Sequence, residues 1–135
     1  MAGLSEVEYG RLATTHASSP RVKRFAQRMI NDHQKAGNEL KELASRSEVT
    51  LATELDGQHQ ATQDDLARLK GAAFDQAYMA LMVKMHLEAV ALFQQQAKNA
   101  QDRGVKAWAF RMLPMLQEHV KLASSLNAAV NKPGK

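Results

Sequence analysis

Apolar residues return at intervals of three and four along most of this chain, the period of a helix with one buried stripe. The clearest start is Ser18-Ser19-Pro20, a serine cap followed by proline at the first helical position. Beyond it Val22, Phe25, Ala26, Met29, Ile30, Ala36, Leu40, Leu43 and Ala44 predict a helix over 20–47. A second stripe of Phe74, Ala77, Tyr78, Leu81, Met82, Met85, Ala89, Leu92 and Phe93 predicts a helix over 72–100. After a turn at 102–104, Val105, Trp108, Ala109, Met112, Leu113, Leu116, Val120, Ala123 and Leu126 give another over 105–130. Pro114 interrupts it, kinking the helix and leaving the Phe110 carbonyl without its usual donor.

The N-terminal stretch predicts a helix over 3–17, with Leu4, Val7 and Leu12 on one side and Glu6, Gly10, Ala13 and Ala17 on a small-residue face. Residues 48–57 read as a loop with Val49, Leu51 and Leu55 against the bundle, followed by a short amphipathic helix over 58–69 that stops before Gly71. The architecture expected is all-α: an antiparallel four-helix bundle with an extra short helical segment between its second and third long helices. One domain covers 1–130, and 131–135 is a frayed tail.

Composition fits this picture. The 135 residues are 44% hydrophobic and 24% charged, which suits one globular domain. No apolar run is long enough for a membrane span. There is no cysteine, so any metal site must use nitrogen and oxygen ligands. The net charge of +4 draws on Arg21, Lys23, Arg24 and Arg28 and on Lys132 and Lys135, and reads as a solvated face. Only Phe25 interleaves the basic cluster, so nucleic-acid binding is not expected. No secretory leader is visible; the chain is cytoplasmic or its leader has been removed.

The candidate chemistry lies in three histidines. His33, His86 and His119 each fall near the midpoint of a long helix, on or beside its apolar stripe. Midpoints of neighbouring helices share a level whichever way the helices run. His86 is sixteen residues before Asp102 and His119 sixteen after Arg103, so the hairpin between their helices sets them level. Glu6 is thirteen residues before Ser19 and His33 fourteen after it, which adds a carboxylate at the same depth. A buried glutamate needs a partner. Glu6, His33, His86 and His119 together make a ligand set for one divalent ion, zinc favoured over iron or manganese.

Simpler readings compete. A mid-helix histidine is more often hydrogen-bonded within a core than metal-bound, and the three could form a polar layer with Glu6, Tyr78 or water. His16 and His59 read as solvent-facing, and the seven methionines as core filler. Ile30, Val83 and Leu116 stand three residues before the three histidines, so the Glu-x-x-His pattern of di-iron bundles is absent. Phosphate loops, His-Glu-x-x-His pairs and Gly-x-Ser-x-Gly elbows are absent too.

Four stretches taken in order resemble a bacterial family known as domain of unknown function 4142. They are Glu6-Val7-Glu8-Tyr9-Gly10-Arg11-Leu12-Ala13; Val22-Lys23-Arg24-Phe25-Ala26-Gln27-Arg28-Met29 with Asp32-His33; Gly71-Ala72-Ala73-Phe74-Asp75-Gln76-Ala77-Tyr78 with His86; and Leu113-Pro114 with His119. The resemblance implies a ferritin-like fold and, for many members, export to the periplasm or outer membrane; it implies no activity. It also draws attention to Asp75 and Tyr78. Asp75 is eleven residues before His86, too far to ligate the same ion, and is expected to cap or brace the helix start near Gly71. Tyr78 is expected in the core behind the ligands with its hydroxyl bonded.

Three functions compete. The leading one is a non-enzymatic metal-binding bundle serving metal handling or stress tolerance, with a homo-oligomer compatible and any protein partner unidentified. The second is a structural or partner-binding bundle with a hydrogen-bonded histidine layer and no metal. The third is a metal-dependent hydrolase or oxidase, which needs a solvent-reachable cavity at the histidines. Imidazoles within about 4 Å of one another, with a carboxylate beside them, would favour metal.

Overall fold

A computed structural model describes residues 2–46 and 57–131 and shows five helices: α1 (Ala2–His16), α2 (Pro20–Arg46), α3 (Gly57–Ala67), α4 (Gly71–Asn99) and α5 (Arg103–Val130). No strand occurs among the described residues. Ser19 Oγ accepts from Val22 N at 3.4 Å at the start of α2, as its cap position predicts. The α5 helix begins two residues before the predicted 105, because Asp102 acts as its cap and accepts from Val105 N at 3.0 Å. Gly71 adopts φ +64°, a left-handed conformation that suits glycine where the chain turns into α4.

The α1–α2 hairpin is antiparallel and close. A Cβ at Gly10 would stand 3.0 Å from Ile30 Cγ1 and 3.2 Å from the Ala26 carbonyl oxygen, so glycine is what lets the two helices approach. The α4–α5 hairpin is antiparallel as well, with Gln76 Nε2 donating to Val130 O at 3.2 Å where the start of α4 meets the end of α5. Asp75 ties α4 to the α1–α2 junction, and Arg28 ties α2 to α5 through Glu118 at 3.0 Å. Going around the core, the order is therefore α1, α2, α5, α4, each antiparallel to its two neighbours. The α2 and α4 helices run the same way, so the connection through α3 returns along the molecule. The Tyr9 hydroxyl donates to the His59 carbonyl at 3.0 Å and anchors α3 on α1.

Tyr9, Val22, Met29, Phe74, Tyr78, Met79 and Met82 are fully buried. Phe74 stacks on Tyr78 with ring centroids 5.5 Å apart, and Phe25 meets Tyr78 edge-on at 6.2 Å. Tyr9 and Met79 fall outside the predicted stripes. Other residues predicted inward are less covered: Ala36, Leu40, Leu43, Phe93, Val105 and Met112 are half-buried, and Leu92 is 51% exposed. The α1 helix extends four residues beyond Glu6, whereas α2 runs thirteen beyond His33. Past that level α2, α4 and α5 face one another across a cavity of about 270 Å³. The predicted 48–57 loop with Val49, Leu51 and Leu55, the side chains of Leu4 and Ala44, and the tail beyond 131 lie outside the described residues.

Candidate metal centre

Each helix around the core contributes one side chain to a buried cluster: Glu6 from α1, His33 from α2, His86 from α4 and His119 from α5. Glu6, His86 and His119 are fully buried and His33 nearly so. One Glu6 carboxylate oxygen, Oε2, lies against His33 Nε2 and 3.7 Å from His86 Nε2. His33 Nε2 and His86 Nε2 are 3.4 Å apart. Ring centroids separate by 5.5 Å for His33–His86, 5.3 Å for His33–His119 and 5.2 Å for His86–His119. One nitrogen from each ring can be chosen so that all three lie within 4.8 Å of one another, close enough to reach a common ion. The His33–His86 pair thus falls inside the 4 Å criterion, and the trio is somewhat looser.

The outer nitrogens are held. His86 Nδ1 donates to the Met82 carbonyl, one turn earlier on α4, at 2.8 Å. His119 Nε2 donates to Asp32 Oδ2 at 2.8 Å. These bonds put the proton on the engaged nitrogen and leave the other bare, as in carboxylate–histidine–metal arrangements. His119 Nδ1 and Glu6 Oε1 are buried without a hydrogen-bond partner among the described residues. Unpaired buried polar atoms are costly, so two in one cluster call for a missing partner.

Asp32 is itself braced. Arg28 Nε approaches its Oδ2 at 3.2 Å, and Arg28 reaches on to Glu118. Neither Asp32 nor Arg28 lies on the predicted apolar stripe, and the charge pattern places Arg28 on a solvated basic face. The available signal was Asp32 next to His33 in sequence and four residues after Arg28, the helical spacing for an ion pair.

Burial pushes the Glu6 carboxyl up, but the attraction and hydrogen bond of His33, with the charges of His86 and His119, hold it below its usual 4.5. Burial drives His86 below 6.5. It drives His119 down to about 4 despite the opposing Asp32 hydrogen bond. Neutral His86 and His119 beside an ionised Glu6 are the protonation states in which these groups bind metal.

The cavity between α2, α4 and α5 reaches this cluster. Glu6 and His33 line its inner end, while His86 and His119 are not among its lining residues.

Four other sites depart from expectation. Tyr78 is in the core, but its hydroxyl has no hydrogen-bond partner among the described residues, and burial and the Glu6 charge push its pKa upward. Asp75 braces the α1–α2 junction instead of the start of its own helix. Its carboxylate accepts from Ser18 N at 3.1 Å, Ser18 Oγ at 2.8 Å and Ser19 N at 3.0 Å. His16 is half-buried, its ring 5.7 Å from Phe74. His59 is half-buried too, because Tyr9 draws α3 on to α1.

Among known proteins, a family model described as domain of unknown function (DUF4142) matches residues 1–126. No curated protein and no solved structure matches the chain.

Proposed function

The chain belongs to the DUF4142 family, and from that premise we propose that it binds one divalent metal ion, zinc in preference to iron or manganese, inside a ferritin-like four-helix bundle. Glu6, His33 and His86 would ligate through Oε2, Nε2 and Nε2, and His119 through Nδ1. The observation that carries this reading is the pairing of held outer nitrogens with bare inner ones. His86 and His119 are oriented by Met82 and Asp32, and unpartnered His119 Nδ1 and Glu6 Oε1 share their cluster.

Zinc suits the donor set. Two nitrogens on a tetrahedral ion with bonds of roughly 2.05 Å stand about 3.3 Å apart. His33 Nε2 and His86 Nε2 stand at 3.4 Å, and the widest gap in the trio is at most 4.8 Å. Three imidazoles and one carboxylate complete four-coordination without water, whereas iron or manganese would require further ligands. Ferritin-like topology is supported by the parallel course of α2 and α4 and the long connection between them. The role is non-enzymatic metal handling, exercised outside the cytoplasm as the family resemblance implies.

Zinc titrated into untagged, chelator-stripped full chain tests the proposal. One equivalent should bind, and zinc at about a hundred times its Kd should add about 2.7 kcal/mol of stability. No stoichiometric binding, with melting unchanged by chelator, would overturn it.

One observation favours a second reading, a metal-dependent enzyme with an open coordination position: the cavity reaches Glu6 and His33. Exchange-labile water on a cobalt-substituted protein would favour it; a saturated four-coordinate spectrum would count against it.

A further inference from the structure

The cavity has a polar inner end and apolar walls of Leu40, Ala89, Phe93, Met112 and Leu116. Among the described residues, Glu6 and His33 are its only ionisable lining residues, with Gln96 and the Trp108 indole N–H the other polar groups. At about 270 Å³ it falls just below the roughly 300–1,000 Å³ typical of small-molecule sites. We propose that this cavity binds a small amphiphile, an apolar tail ending in one monoanionic oxygen head group that adds to the four-coordinate metal ion of Glu6, His33, His86 and His119 as a fifth ligand. This rests on the metal reading above.

Three features converge on it. First, Trp108 Nε1 on the wall is buried and lacks a partner among the described residues. Trp108 can donate only, so it suits an oxygen acceptor. Second, a divalent ion with one carboxylate and three neutral imidazoles carries a net single positive charge, which a monoanion neutralises. Third, Gly37 lies within α2, where glycine is among the least favourable residues, and a Cβ there would meet nothing within 4 Å among the described residues. Among the described residues, no close helix contact requires that glycine. The space that a side chain would fill belongs to the cavity it lines.

Trp108 is the only tryptophan in the chain, so its emission reports on the cavity. Octanohydroxamate and 1-octanol are titrated into zinc-loaded and zinc-free full chain, with retained zinc measured after each titration. Octanohydroxamate should shift the emission saturably in the zinc-loaded protein. Affinity should be at least tenfold weaker for 1-octanol and for zinc-free protein. Gly37→Leu should keep helicity and zinc affinity but lose probe binding.

Absence of a saturable shift, equal binding without zinc, zinc leaving with the hydroxamate, or undiminished binding by Gly37→Leu would each overturn the proposal. The zinc titration separates the two readings. If zinc itself does not bind, both fall; if one equivalent binds and octanohydroxamate does not, only the amphiphile site falls.

Discussion

Asp32 Oδ2 stands 2.8 Å from His119 Nε2, joining α2 to α5 directly behind the buried cluster. Asp32 immediately precedes His33 in α2 and also meets Arg28, so one carboxylate orients a ring from another helix while being fixed itself. It acts on metal through His119, as a positioning residue.

Asp32→Asn should therefore weaken zinc binding about tenfold, and Asp32→Ala up to about a hundredfold, with helicity retained. The amide of asparagine can still accept from His119, which makes it the milder change. Calorimetric titration with zinc checks both, and equal affinity for the wild type and Asp32→Ala would remove Asp32 from the account.

Acid should destabilise the metal-free protein in a defined window. His86 and His119 have folded-state pKa values below 6.5, with His119 at about 4. The unfolded chain therefore binds more protons between about pH 6.5 and 4, and stability falls as pH drops through that range. His119 alone accounts for on the order of 3 kcal/mol across its shift. Glu6, held below 4.5, acts in the same direction: its contribution is present above 4.5 and is lost as pH falls through its lower folded value. Urea denaturation of chelator-treated protein at pH 7, 5.5 and 4.5 should show a falling midpoint, and a flat profile would contradict this.

Gly10 and Gly37 should respond oppositely. At Gly10 a Cβ meets backbone at 3.2 Å, so Gly10→Val should cost roughly 1–3 kcal/mol by overpacking. Because Glu6 lies one turn earlier on the same buried face, zinc affinity should fall as well. At Gly37 no described residue stands within 4 Å of a Cβ, so Gly37→Ala should stabilise by up to about 1 kcal/mol. Thermal melts of the two variants provide the comparison.

Asp75→Ala removes a buried carboxylate that accepts three hydrogen bonds at the α1–α2 junction, and should cost about 2–3 kcal/mol. Zinc affinity measured under conditions where the variant is folded should stay near wild type. A loss of affinity as large as that of Asp32→Ala would show that Asp75 serves the metal centre.

The helices and the depth of the cluster were legible because both follow from spacing. Ser19-Pro20 marks the start of α2, and counting from 17–20 and 100–103 sets Glu6, His33, His86 and His119 at one level. Contacts between helices were less legible. Asp32 sits beside the predicted stripe, and nothing local shows that a ring from α5 will reach it. Tyr9 entered the core because α3 folds back on α1, a tertiary event without periodicity. The outer halves of the stripes predicted a closed core; instead Leu40, Phe93 and Met112 line a cavity between α2, α4 and α5.

The most direct test is a crystal of the zinc-loaded full chain measured on either side of the zinc absorption edge. The account predicts one anomalous peak among Glu6, His33, His86 and His119, with three nitrogens and one oxygen at about 2.0–2.2 Å. A peak elsewhere, at His16 or His59 for example, or no peak at the cluster with zinc saturating, would contradict it.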